Sequence, residues 1–216
     1  MNIFSRPVLL GISAMAAVVV LSNILVQYLW GNWLTWAAFT YPIAFLVTDI
    51  TNRKLGTAKA RQVVFAGFFV GVICSLIASQ IVAPEGGALT TLRIAVGSGV
   101  AFLVAQLVDV AVFHRLRERS WWHAPLASTL IGSSLDTLLF FSIAFSATFV
   151  FIDPTDPNGW ALELVPLLGI GPVLPLWVSL AVADFIVKLL LALLALIPFR
   201  VLTAKWPQHH NLRGVR

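Results

Sequence analysis

Charged residues are scarce in this sequence: they make up 11% of its 216 residues, whereas hydrophobic residues make up 59%. Soluble domains normally carry about a quarter charged residues, so this composition excludes an ordinary soluble protein. Cysteine is nearly absent, and a lone Cys74 excludes an internal disulfide. Long apolar runs are abundant instead, and a spanning helix needs roughly 20 mainly apolar residues. The sequence therefore predicts an integral membrane protein.

Six apolar runs divide the chain into candidate membrane helices. The predicted fold class is all-α integral membrane, a single six-helix domain over residues 1–216 with spans near 8–29, 34–50, 62–83, 93–113, 125–151 and 176–199. The tetrapeptide at 30–33 is short enough only for a tight turn. Residues 152–175 contain acids, Gly and Pro but no basic residue, which disfavours an unbroken helix and favours an amphipathic or re-entrant cap. The first run superficially resembles a signal peptide, but its length and the spans that follow favour an uncleaved helix.

Basic residues concentrate on one side of the predicted membrane domain. Of the 14 Lys and Arg residues, 12 fall on that side and only Arg93 falls on the other. Such a bias places both termini in the cytoplasm. It also explains the pI of about 10 without nucleic acid as a partner. The remaining basic residue, Lys188, lies in the middle of the last span.

Five ionisable residues lie within or at the edges of the predicted spans: Asp49, Asp109, Asp136, Asp184 and Lys188. At about 2.5–3.5 kcal/mol each, exposing all five to lipid would cost up to roughly 12–18 kcal/mol. They are therefore expected to face the helix bundle and to pair there. Ionisable groups inside a membrane suggest a transport pathway.

The spacing of the polar residues indicates which of them share a helix face. Asp184 and Lys188 are four residues apart, as are Asp49 and Arg53 at the end of the second span. Two further pairs also share a face: Asn23 with Gln27, four residues apart, and Gln106 with Asp109, three residues apart. Each pair is either structural or part of a functional site, whereas Asp136 lacks a local partner and is the stronger functional candidate.

Small residues recur at every fourth position of the third span, at Gly67, Gly71, Ser75 and Ser79. Such a ridge lets helices approach closely. It predicts tight packing and leaves room for a homodimer.

Patterns that would indicate catalysis or a metal site are missing. There is no phosphate-binding glycine loop, and Ser, His and Asp occur in no recognisable catalytic order. The four histidines (His114, His123, His209 and His210) lack the helical spacing to Asp or Glu that a metal site on one face needs. The expectation is a protein that is not an enzyme and that has no cofactor and no metal.

Several motifs together resemble the queuosine-precursor transporter family, also called the vitamin uptake transporter family. They are SNILVQ (22–27), FTYPIAFLVTDITNRKLG (39–56), AQLVDVAVFHRLR (105–117), WWHAPLASTLIGSSLDTLLFFSIAF (121–145) and ADFIVKLL (183–190). The resemblance implies import of 7-deazaguanine bases, the precursors of queuosine, across a bacterial inner membrane. It also implies a six-helix fold like the substrate-binding components of energy-coupling-factor transporters, without a dedicated ATPase.

A 7-deazaguanine substrate gives the polar residues specific roles. Its guanine edge presents an N–H beside an amine, which a carboxylate accepts in a bidentate manner, so Asp136 or Asp184 is expected to read it. The aminomethyl precursor (preQ1) is a cation that favours a second carboxylate, unlike the nitrile precursor (preQ0). The other expected binding residues are Asn23, Gln27 and Gln106 for heteroatoms, Tyr41, Phe140 and Trp177 as an aromatic wall, and Lys188 for an acid or the carbonyl oxygen.

The acids nearer the cytoplasm have two alternative roles. Asp49 and Asp109, among Arg53 and Arg115, form either an inner gate of ion pairs or a proton-coupling site, because like charges held together favour binding of a proton. Two rival functions also stay open. One is a substrate-binding component for another purine-like base or vitamin that needs a partner energy module. The other is a membrane enzyme that acts on lipid, or an intramembrane scaffold.

Overall fold

The computed structural model describes residues 5–83 and 86–204. In chain order its elements are α1 (Arg6–Leu25), β1 (Leu29–Trp30), β2 (Leu34–Thr35), α2 (Ala37–Thr40), α3 (Ile43–Leu55), α4 (Thr57–Ala78), α5 (Leu92–Leu116), α6 (His123–Phe145), β3 (Leu164–Pro166), β4 (Val173–Pro175) and α7 (Leu176–Thr203). In this described part, five helices are long and apolar enough to cross a membrane: α1, α4, α5, α6 and α7. The prediction of an all-α membrane protein is confirmed in this form, with two small β-hairpins added.

The second predicted span, 34–50, is not one long helix. Its first residues form β2, and α2 and α3 then follow with a break at Tyr41 and Pro42. A proline has no N–H and cannot donate the helical hydrogen bond at that point. Helix α3 then runs past the predicted end, with Arg53 in its last turn. Asp49, expected where this span reaches the cytoplasmic surface, instead lies buried within α3 at 2% exposure.

Short connections explain the other differences in the boundaries. The tetrapeptide at 30–33 does form a tight turn, between the paired strands β1 and β2, and Gly31 has a φ of 67° there. Gly56, with a φ of 86°, is the single residue between α3 and α4. Helix α4 therefore begins at Thr57, earlier than the predicted 62. The predicted tight packing along α4 is confirmed at Gly67, where an added Cβ would lie 2.6 Å from Cγ of Met15 in α1.

Helices α5 and α6 pack closely along most of their length. A Cβ at Gly97 would lie 3.3 Å from the main-chain nitrogen of Ala144, and one at Gly132 would lie 3.3 Å from the carbonyl oxygen of Ala105. Small residues of this kind let two membrane helices bring their backbones together. The polar residues of α5 and α6 are thereby held against each other and against α3.

The basic connections meet at one end of the bundle, which we call the basic end. The Nη1 atom of Arg53 donates to the carbonyl of Arg117 at 2.7 Å, joining the end of α3 to the end of α5. The Arg200 guanidinium of α7 lies 4.6 Å from the Trp121 ring centroid. The remaining tail residues expected on this side (Lys205, Arg213 and Arg216, with His209 and His210) lie outside the described residues.

A short-element segment, 146–175, covers the opposite end of the bundle. It contains 3₁₀ turns at 147–152 and 158–162 and the antiparallel pair β3–β4. The prediction that 152–175 is not an unbroken helix is confirmed. Arg93, buried at 4% exposure, donates to the carbonyl of Ser146 at 2.7 Å and lies 3.7 Å from Asp156. This buried arginine therefore fixes the segment to the start of α5.

Candidate functional site

The centre of the site is a group of three charged side chains, Asp136 of α6 with Asp184 and Lys188 of α7, which we call the acid–lysine cluster. The Nζ atom of Lys188 lies 2.7 Å from Oδ2 of Asp136 and 2.5 Å from Oδ2 of Asp184. Their side chains are 4% (Lys188), 5% (Asp136) and 15% (Asp184) exposed. With both acids ionised, the cluster carries a net charge of −1 inside an apolar bundle.

Thr137 completes the hydrogen bonding of this cluster. Its hydroxyl donates to Oδ2 of Asp184 at 2.8 Å and accepts from Nζ of Lys188 at 3.1 Å. The sequence placed this threonine within a motif but indicated no role for it. Its position directly after Asp136 was the available signal.

Tyr41 joins the acid–lysine cluster to a cavity of about 630 Å³ between α1, α4 and α5. The Tyr41 hydroxyl donates to Oδ1 of Asp136 at 3.4 Å, and Nζ of Lys188 lies 5.7 Å from its ring centroid. The same residue lines the cavity together with Asn23 of α1, Ser75 of α4 and Ser79 directly after α4. The Tyr41 side chain, which precedes the break at Pro42, therefore lies between the cavity and the buried acids.

The other predicted aromatic residues lie on the far side of the acid–lysine cluster, toward the opposite end. Phe140 and Trp177 pack, partly buried, against a small apolar group around Phe141 and Phe145. Phe140 is one helical turn beyond Asp136, and Trp177 is about two turns before Asp184. The structure thus brings both rings to the helices that carry the acids, although neither lines the cavity next to Tyr41.

The three predicted amide residues occupy three different environments. Asn23 lines the cavity, and its Nδ2 donates to the carbonyl of Val19 at 2.9 Å. Gln27 is exposed and lies beyond the end of α1 at Leu25, so the expected shared helix face with Asn23 is wrong. Gln106 is fully buried and accepts from the Thr48 hydroxyl at 2.6 Å.

Asp49 of α3 and Asp109 of α5 form a second acidic group, which we call the carboxyl pair. They are 2% and 0% exposed and close enough to interact. Oδ1 of Asp49 accepts from Ser128 at 3.1 Å, and Oδ2 accepts from Thr129 at 3.2 Å. Both oxygens of Asp109 lack a hydrogen-bond partner in the described part of the chain.

The predicted basic neighbours of this pair lie elsewhere. Arg53 is bound to the carbonyl of Arg117 rather than to Asp49, and Arg115 is exposed. Within the described residues, neither acid of the carboxyl pair forms an ion pair with Lys or Arg. The gating and proton-coupling roles both stay predictions. Across residues 5–83 and 86–204, no group of three or more His, Cys, Asp and Glu side chains is arranged to hold a metal ion.

Known proteins resemble this chain over most of its length. Residues 35–203 match the family model described as "Putative vitamin uptake transporter". The chain is 35% identical over 194 residues to the queuosine precursor transporter of Escherichia coli K12, covering 84% of this chain and 79% of that protein. It is 33% identical to a probable queuosine precursor transporter of Haemophilus influenzae, over 76% of this chain and 66% of that one.

A more distant relative is a probable queuosine precursor transporter of Bacillus subtilis, which is 26% identical over 72% of this chain and 66% of that protein. No solved structure matches the chain. The family match covers most of the chain, including the acid–lysine cluster and the carboxyl pair. The chain is therefore a multi-pass membrane protein that belongs to the vitamin uptake transporter family, together with the queuosine precursor transporters.

Proposed function

We propose that this protein imports queuosine precursors, the 7-deazaguanine bases preQ0 and preQ1, across the bacterial inner membrane. Its kinship with queuosine precursor transporters supports the substrate class. The observation that carries the proposal is the acid–lysine cluster, in which the buried Asp136 and the partly buried Asp184 share a single lysine. Such a site has one negative charge available for a ligand that offers hydrogen-bond donors or a positive charge.

The guanine edge of these bases suits the carboxylate that is more accessible. Asp184 is 15% exposed, and its Oδ2 already contacts Lys188 and Thr137. Its other oxygen is in none of the hydrogen bonds described for the cluster, so it is the natural acceptor for an N–H or an exocyclic amine. Asp136 would hold Lys188 in place, and Lys188 would in turn contact the carbonyl oxygen of the base.

The route to this site runs through Tyr41. Its hydrogen bond to Asp136 is long, at 3.4 Å, and is therefore easily exchanged for a shorter one with a ligand. We propose that a precursor enters the cavity past Asn23 and displaces the Tyr41 hydroxyl. The base then stacks among Tyr41, Phe140 and Trp177 while a carboxylate reads its edge. Of the three predicted amide residues, Asn23 lines this route, whereas Gln27 is exposed and Gln106 is bonded to Thr48 within the bundle.

The finer architecture is part of the same proposal. Helices α2 and α3 together make a broken sixth crossing, and broken helices commonly border the substrate in transporters. Both termini then lie in the cytoplasm, the fold resembles the substrate-binding components of energy-coupling-factor transporters, and the protein is not an enzyme. The small-residue ridge of α4 packs against α1 at Gly67 and Gly71, so a homodimer would have to use other helix faces.

Uptake of labelled precursor into liposomes that contain only this protein tests the proposal. We expect saturable uptake of preQ0 or preQ1, strongly reduced by Asp184→Asn and retained by Asp153→Asn, whose side chain lies in the segment at the opposite end. Tyr41→Phe is expected to keep uptake, because the ring stays while the long hydrogen bond is lost. Binding without uptake would favour the rival function of a component that needs an energy module. Turnover of lipid without any effect of purine analogues would refute transport.

A further inference from the structure

The carboxyl pair is an unusual arrangement for the interior of a membrane protein. Asp49 and Asp109 lie next to each other at 2% and 0% exposure. Asp49 receives two hydroxyl donors, from Ser128 and Thr129, whereas both oxygens of Asp109 receive none. A buried acceptor without a donor is costly, so something that the protein side chains do not supply must satisfy Asp109.

No cation among the described residues satisfies the pair. The charged side chain that acts on Asp49 is Asp109. From α6 the pair meets hydroxyls, and α7 borders Asp49 with apolar residues such as Leu191 and Ala192. The two arginines that follow Asp49 in the sequence do not neutralise the pair. Arg53 donates to a main-chain carbonyl, and Arg61 of the neighbouring helix α4 is exposed.

One proton shared by the two acids removes this conflict. Two ionised carboxylates held together out of water repel each other, and such a pair binds a proton to relieve the repulsion. The protonated acid becomes a hydrogen-bond donor to its ionised partner, and Asp49 keeps its two hydroxyl donors. A proton held by the pair thus supplies the hydrogen bond that Asp109 otherwise lacks.

Further buried polar atoms without partners lie on both sides of this pair in the sequence of its helices. Toward the acid–lysine cluster these are Nε2 of Gln106, one turn before Asp109 in α5, and Oγ of Ser133, one turn before Asp136 in α6. Toward the basic end it is Oδ1 of Asn52, one turn after Asp49 in α3. A cavity of about 10 Å³ also borders Asp49 and Thr129, roughly the volume that holds one water. Unsatisfied polar atoms at these depths are where water would complete a path for a proton.

We propose that Asp49 and Asp109 form a binding site for one transported proton, located between the substrate site and the basic end. The proton reaches Asp109 from the opposite end through the cluster region and leaves past Asn52 into the cytoplasm. Its coupling to precursor import rests on the proposed function, whereas the binding of a proton by the pair does not.

Infrared difference spectroscopy of the purified protein tests the site without any substrate. Exposed carboxyls are ionised at neutral pH, so a protonated carboxyl band that persists there reports a buried acid. We expect the wild type to show this band, Asp109→Asn to lose it, and the exposed-acid control Glu118→Gln to keep it. A wild type without the band, or an Asp109→Asn variant that retains it in full, would overturn the proposal.

The same geometry predicts that the Asp109→Asn variant folds. The side-chain amide introduced by Asp109→Asn can donate to Asp49 as the protonated acid does, so this variant should melt at or above the wild-type temperature. If it does not fold, Asp49→Asn serves as the second variant, and the same loss of the band is expected because the partner charge is gone. Retention of the band by a folded Asp49→Asn variant would count against a shared proton.

Coupling is measured in liposomes with a pH-sensitive dye in the lumen. We expect precursor addition to acidify the lumen with wild type and Glu118→Gln, and Asp109→Asn to bind precursor without moving protons. Wild-type uptake that is unaffected by collapse of the pH gradient would refute the coupling. Absence of any precursor uptake by the wild type, with the infrared band intact, would refute the proposed function and leave the proton site standing.

Discussion

Replacement of Lys188 with methionine removes the cation that Asp136 and Asp184 share. Its Nζ lies 2.7 Å from Asp136, 2.5 Å from Asp184 and 3.1 Å from the Thr137 hydroxyl, and the side chain is 4% exposed. Methionine fills a similar volume, so the lost charge dominates the effect. Removing one partner of a buried ion pair costs about 3–5 kcal/mol, because the remaining charge is left uncompensated. We expect Lys188→Met to lower the free energy of unfolding by this amount.

A graded series separates charge from packing. Asp184→Asn leaves the Lys188–Asp136 pair intact and keeps an oxygen for Thr137, so its expected cost is only about 1–2 kcal/mol. The double variant Lys188→Met with Asp184→Asn should cost less than the sum of the two, because it leaves a single unpaired acid. Arg119→Met, at an exposed arginine of the basic end, is the control and should change stability by less than about 0.5 kcal/mol.

Equilibrium unfolding in mixed micelles, followed by the fluorescence of the eight tryptophans, measures these differences. The reasoning would be refuted if Lys188→Met were as stable as wild type, or if it cost less than Asp184→Asn. Either result would mean that the two acids do not depend on this lysine for their burial.

Two further predictions concern packing around the site. Gly67→Ala places a Cβ 2.6 Å from a neighbouring side chain and should lower the free energy of unfolding by about 1–3 kcal/mol, measured by thermal unfolding. In Gly71→Ala the nearest atom is 3.6 Å from the new Cβ, so this variant should be as stable as wild type or more stable. Equal effects of the two substitutions would contradict the structure. Arg93→Gln removes the ion pair to Asp156 and should increase amide hydrogen exchange in residues 146–175 without changing exchange in α3. Unchanged exchange in 146–175 would refute the anchoring role of Arg93.

Local spacing predicted part of the site because the helical period is a local property. Asp184 and Lys188, four residues apart, do lie together, as the period requires. The approach of Asp136 to this pair depends on how α6 packs against α7, and a single sequence does not encode that register in a readable way. The role of Thr137 was missed for the same reason, since its partners lie on the other helix.

The same limit explains the errors in the second span. Composition alone made 34–50 look like one apolar helix, although Pro42 marks the break and the basic end of α3 extends the helix past Asp49. The spacing of Asp49 and Arg53 suggested an ion pair. Arg53 instead finds a main-chain carbonyl on α5, and Asp49 finds two hydroxyls on α6. Both interactions are tertiary contacts that no local sequence pattern indicates.

The central claim is that a buried carboxylate of the acid–lysine cluster reads the guanine edge of the substrate. Equilibrium binding of a labelled 7-deazaguanine and of its analogue without the exocyclic amine, to the purified protein in nanodiscs, tests it directly. We expect the analogue to bind far more weakly to wild type, because a site built to accept a hydrogen bond from the ligand rejects a ligand that lacks the donor. Asp184→Asn or Asp136→Asn should reduce this difference in affinity between the two ligands. Equal binding of the two ligands, or full discrimination by both variants, would contradict it.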